Sequence, residues 1–156
     1  MPLPQDITPI NTELTDTLRR AGGQPWVPDE IDPDRAFFKL LWTGPEKGSF
    51  AVLFRWKRGF QAPPHKHIGA SHTYILSGRL QVRDGTLEAG DYTYEPNGMI
   101  HGATTALEDT DYLFIMDGAL VFFNDDGLLG YISWEEMQRK HDRFMAKQAP
   151  TLTSEG

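Results

Sequence analysis

The chain has 156 residues, 39% of them apolar and 12% aromatic, which is enough for one folded domain with its own core. A net charge of −7, with the basic residues scattered, argues against recognition of nucleic acid through a phosphate-binding face. The absence of cysteine excludes disulfides and thiolate ligands, and no apolar run approaches the ~20 residues a membrane helix requires.

Residues 1–35 are proline-rich and acidic and read as an N-terminal arm with a short helical possibility at Thr12–Arg20. The start Met1-Pro2-Leu3-Pro4-Gln5-Asp6 lacks the basic and apolar regions of a secretory leader, so a cytoplasmic protein is expected. Trp26 in this arm is expected to pack onto the domain, with a dimer contact as the alternative. From Phe37 the texture changes to short apolar runs divided by Gly, Pro and Asp. Strands are predicted at Phe37–Leu41, Ser49–Trp56, Thr73–Leu76, Arg79–Arg83, Thr86–Glu88, Tyr92–Tyr94, Gly102–Thr105, Asp111–Met116, Leu120–Phe123 and Leu129–Ile132. Asp84-Gly85 is a hairpin signal, and Asn124-Asp125-Asp126-Gly127 is a second turn. Many short strands at close spacing predict an all-β fold, a small barrel or a two-sheet sandwich, over residues 36–132. A helix follows over 133–150, with Ser133 and Glu136 as a capping box and Trp134, Met137, His141 and Phe144 as a packing stripe; 151–156 read as a disordered tail.

Within the barrel region, His65-Lys66-His67 and His101 stand out. Side chains on a strand alternate faces, so His65 and His67 point the same way. His101 follows the turn signal Pro96-Asn97-Gly98, which redirects the chain toward a second strand. Two imidazoles from one strand and one from another can converge, and neutral imidazole is the commonest protein metal ligand.

Gly59-x5-His65-x-His67 followed by Gly78 resembles the first cupin motif, and Gly90-x5-Pro96-x-Gly98-x2-His101 the second, with Thr105 where Asn is frequent. The resemblance implies a cupin double-stranded β-helix, a jelly-roll barrel with a metal in its mouth. The glutamate that cupins usually place after the His pair is missing: its position falls on Ser71, with His72 adjacent. A cupin with three histidines and no such carboxylate is similar to the acetylacetone dioxygenase and dihydroxyacetophenone dioxygenase group. Trp26-Val27-Pro28, Tyr94-Glu95-Pro96 and Phe122-Phe123-Asn124-Asp125-Asp126-Gly127-x3-Tyr131 extend that likeness. It implies non-haem Fe(II) held by His65, His67 and His101, and cleavage of a carbon–carbon bond in a small β-diketone or hydroxyketone with O2.

Three neutral ligands leave the ion its full charge, which favours chelation of an anionic, bidentate oxygen ligand such as an enolate. Glu95 is a candidate to orient a histidine or remove the substrate proton, the alternative being a surface carboxylate. His72 is a candidate fourth ligand or pocket acid/base if it faces inward; if Ser71 does, alternation turns His72 away. Phe54, Tyr74, Tyr94 and Phe114 are candidate cavity-lining residues. The competing readings are a cupin isomerase or hydrolase using zinc, nickel or manganese, and a non-enzymatic metal- or ligand-binding module. A homodimer formed through sheet edges and the arm is expected.

Overall fold

The fold is seen in a computed structural model, which describes residues 16–149. The strands are β1 (Val27–Pro28), β2 (Ala36–Gly44), β3 (Ser49–Trp56), β4 (Gln61–Ala62), β5 (His65–Ile68), β6 (Ser71–Ser77) and β7 (Arg79–Val82). They continue as β8 (Gly85–Glu88), β9 (Tyr92–Glu95), β10 (Ile100–His101), β11 (Thr104–Ala106), β12 (Thr110–Met116), β13 (Ala119–Asn124) and β14 (Gly127–Ile132), and the helix α1 (Trp134–Gln148) follows. All strand pairs are antiparallel, in a six-stranded sheet β1-β2-β3-β12-β6-β9 and two four-stranded sheets, β10-β5-β13-β14 and β4-β11-β7-β8.

The inner face of the large sheet follows the period of two. Ala36, Phe38 and Leu40 on β2, Phe50, Val52 and Trp56 on β3, and Tyr112, Phe114 and Met116 on β12 are buried. Each large side chain withdrawn from water in this way contributes about 1.5–3 kcal/mol. Trp26 packs on the outer face of the same sheet, with the Arg55 guanidinium 4.0 Å and the Lys39 ammonium 4.9 Å from its ring. Arg55 is itself held by a two-pronged ion pair to Asp111, both contacts at 2.8 Å. The arm therefore docks on the sheet, and Val27–Pro28 extends that sheet by pairing with Phe37 and Phe38.

The predicted strands omit β1, β4 and β10, because a two-residue strand has no periodicity to detect, and β5 is inferred only from the spacing of His65 and His67. Ala21–Gly23 form a single 3-10 turn, while residues 16–20 of the expected Thr12–Arg20 helix are not helical and its remaining residues lie outside the described chain. At α1, the Ser133 hydroxyl accepts from the Glu136 amide, while Glu136 pairs with Arg139 instead of returning to Ser133. Met137 is buried in the core, with Trp134 and Phe144 packed beside it.

Two close backbone crossings hold β5 in place. Gly69 has φ +119° and Gly118 φ +154°, and a Cβ on either would lie 2.1 Å from the Asp117 carbonyl oxygen or 1.9 Å from that of Ile68. Only glycine fits both the conformation and the gap.

Candidate metal centre

β5 exposes Lys66 and Ile68 and buries His65 and His67, so both imidazoles face the barrel interior. The turn that delivers the third histidine is sewn to the same strand. The His67 amide donates to the Met99 carbonyl and the Gly98 amide to the His67 carbonyl, both at 2.8 Å. The Asn97 side chain accepts from the Gly69 amide at 2.8 Å. β10 then pairs with β5 so that His101 lies directly opposite His65. One ligand nitrogen from each of His65, His67 and His101 lies within 4.8 Å of the others, and all three residues are buried.

Glu95 completes the cluster. Ser71 on β6 is cross-strand to Glu95 on β9, and both face inward. The carboxylate lies 3.2 Å from His67 Nε2 and 3.0 Å from His101 Nε2, and it accepts the Ser71 hydroxyl at 3.0 Å. The carboxylate that the first motif lacks at Ser71 is thus supplied by the neighbouring strand.

Hydrogen bonding assigns the protons. Pro63 offers only a carbonyl, 2.9 Å from His65 Nδ1, so that nitrogen carries the hydrogen and Nε2 keeps its lone pair. The single Ser71 hydrogen goes to Glu95, so the Ser71 oxygen accepts from His67 Nδ1 at 3.3 Å. His67 Nε2 is then a buried lone pair facing a carboxylate oxygen, and it has no hydrogen-bond partner. Burial pushes the His67 imidazole down to about 4, with Glu95 opposing and the neighbouring histidines assisting, and it lowers His65 as well. Burial works against ionisation of Glu95, yet the His101 hydrogen bond and the charges of His101 and His67 hold it below the usual carboxylate range. Two imidazoles, His65 and His67, held toward the neutral form, and a third at His101, around a buried carboxylate and with an orphaned buried nitrogen among them, fit a divalent cation.

The cluster opens into a cavity of about 400 Å³. Phe54 and Phe114 line it, together with Trp56, Phe60, Tyr112 and Phe122, which the sequence reading did not single out. The aromatic walls interlock, with Phe54 5.3 Å from Tyr112 and 5.6 Å from Phe114, ring centre to ring centre.

Three candidates fall elsewhere. With Ser71 inward, alternation turns His72 to the outer face, where its Nδ1 meets the Tyr92 hydroxyl at 2.6 Å; it is neither ligand nor pocket acid. Tyr74 and Tyr94 share that outer parity and are 44% and 54% exposed, so they line no part of the cavity.

Comparison with known proteins agrees with this picture. A family model described as the ChrR cupin-like domain matches residues 16–121. The acetylacetone-cleaving enzyme of Acinetobacter johnsonii is 27% identical over 118 residues, covering 71% of this chain and 77% of that protein. The crystal structure of the acetylacetone dioxygenase from the same organism superposes with a TM-score of 0.74 at 23% identity, covering 88% of this chain and 98% of the other. An RmlC-like cupin from Ralstonia eutropha superposes with a TM-score of 0.80 at 18% identity, covering 86% and 90%. The barrel is a cupin fold.

Proposed function

This chain belongs to the ChrR cupin-like domain family, and we propose that it works as an Fe(II)-dependent dioxygenase cleaving a carbon–carbon bond in a β-diketone or hydroxyketone. The observation that carries this reading is the convergence of three buried imidazoles beside one buried carboxylate, at an aromatic-walled cavity. Fold alone would leave the reaction open. The likeness to an acetylacetone-cleaving enzyme supports this reaction class.

His65, His67 and His101 would hold the ion, which when bound supplies Lewis acidity toward an enolate and a place for dioxygen to react. Glu95, aimed at the same point, takes the proton released when the ketone becomes its enolate. Ser71 holds that carboxylate in position through its hydroxyl. The aromatic walls keep water from the electron-rich substrate. The products are two smaller carbonyl or carboxylic compounds that together contain the oxygen atoms taken up.

The test is oxygen uptake by protein stripped of metal and reloaded anaerobically with Fe(II), offered β-diketones and hydroxyacetophenones, with His101→Ala as control. Uptake dependent on iron and on His101 is expected. Iron-loaded protein that consumes no oxygen with any of them would refute the reading and favour another cupin reaction, with zinc, nickel or manganese, or a binding role.

No helix among the described residues is long and apolar enough to cross a membrane. We place the protein in the cytoplasm as a homodimer, with the open edge strand β9 and its exposed Tyr92 and Tyr94 available for pairing. Sedimentation at micromolar concentration should give twice the chain mass of 17.6 kDa; a monomer mass would remove the dimer.

A further inference from the structure

The cavity contains a polar group that the chemistry above does not use. Thr93 lies two residues before Glu95 on β9 and therefore on the same inward face. It lines the cavity, and its Oγ1 is buried with no hydrogen-bond partner. Buried hydroxyls are normally satisfied, so an orphan on a cavity wall marks a place for a ligand atom.

Register fixes how far that place is from the metal centre. Ser71 pairs with Glu95 at the level of the histidines, and Thr73 pairs with Thr93 one level further along. Two residues of strand separate the levels, ~6.6 Å at about 3.3 Å per residue. Phe114 sits opposite Thr73, and Phe54 and Tyr112 stand one level beyond. The cavity thus runs from the histidines past one hydroxyl level into an aromatic box.

A short aliphatic diketone would fill only the histidine end. A ketone bearing an aryl ring reaches beyond that end toward the box, and the span from a carbonyl across a phenyl ring to a ring hydroxyl matches the distance between the two levels. The polar group that meets Thr93 is neutral, because Glu95, two residues along the same strand and facing the same cavity, would repel an anion; among the described residues Asp29, Asp32 and Lys140 also line the cavity. Burial raises the Tyr112 phenol well above its usual range, so it too stays uncharged.

We infer that Thr93 is a specificity-determining residue, its hydroxyl hydrogen-bonding a neutral hydroxyl on the aryl part of a chelating ketone substrate. This rests on the ketone reading of the metal centre. Removing such a partner from a buried site changes affinity by about ten-fold.

The experiment separates the two ideas. Zinc-loaded full-length protein, which binds without turnover, is titrated with benzoylacetone and its meta- and para-hydroxyphenyl analogues. Wild type should bind one hydroxylated analogue about ten-fold more tightly than benzoylacetone. Thr93→Val should lose that preference, and Thr93→Ser should regain it. A preference that survives Thr93→Val, or no preference in wild type, overturns the role of Thr93 while leaving the ketone reading intact. Failure of wild type to bind any of the three overturns both.

Discussion

Replacing Ser71 by alanine isolates the link between the two strands that build the metal centre. Ser71 is fully buried, so no water replaces its hydroxyl. The substitution removes the 3.0 Å hydrogen bond to the Glu95 carboxylate and the acceptor 3.3 Å from His67 Nδ1. A hydrogen bond to a buried charged group is worth ~1.5–3 kcal/mol. With about 1.4 kcal/mol to each factor of ten, the loss corresponds to a ~10–100-fold weaker hold on whatever His67 and Glu95 position together, in line with other groups that orient metal ligands. The assay is a chelator competition titration of zinc or Fe(II) against wild type and Ser71→Ala, with circular dichroism to verify that the variant is folded. The dissociation constant should rise by one to two orders of magnitude. Equal affinity in a folded variant would refute the claim that the hydroxyl fixes the His67 tautomer and the carboxylate.

Glu95→Gln keeps the shape of the side chain and removes the proton acceptor, so steady-state oxygen uptake by iron-loaded protein should fall about 100-fold in kcat, the usual worth of a positioned base; an unchanged kcat would remove Glu95 from the proton step. Metal binding to the folded state alone should raise the melting temperature, by ~2.7 kcal/mol of stabilisation at a hundredfold excess over Kd, or about 5–10 °C for a chain of this size. Chelator should reverse that rise in wild type, and His101→Ala should lack it. Gly78→Ala should destabilise by more than ~1 kcal/mol, because φ is +86° and the new Cβ would lie 2.2 Å from the Asp109 carbonyl oxygen; denaturant unfolding measures it.

The three histidines were legible because their geometry is local: alternation sets His65 and His67, and Pro96 to Gly98 sets His101. The number and spacing of strands pointed to a small barrel or two-sheet sandwich, and the resemblance to the two cupin motifs narrowed it to a jelly roll. What the sequence withheld was parity. Whether β6 turns Ser71 or His72 inward depends on its pairing with β9 and β12, which are distant in the chain. That one choice carries Thr73 in and Tyr74 out, and on β9 Glu95 and Thr93 in and Tyr94 out. Phe54 and Phe114 were reachable because β3 and β12 are long enough for a clear inward row. Trp56 and Tyr112 fell on predicted strands and Phe60 on none, and nothing local distinguishes an aromatic that packs solidly from one that walls a cavity.

The histidines all come from the sheet β10-β5-β13-β14, whereas the far wall of the cavity is contributed by β3, β12, β7 and β8 from the other two sheets. The three histidines and the far aromatic wall therefore sit on separate sheets, while Glu95 and Thr93 share β9. Mutations at Phe54, Leu80 or Leu87 can reshape what the protein accepts without moving the strand pair that carries His65, His67 and His101. A lineage built this way can change its diet while inheriting its chemistry, and a directed-evolution library confined to those wall positions should shift substrate range while metal content stays constant.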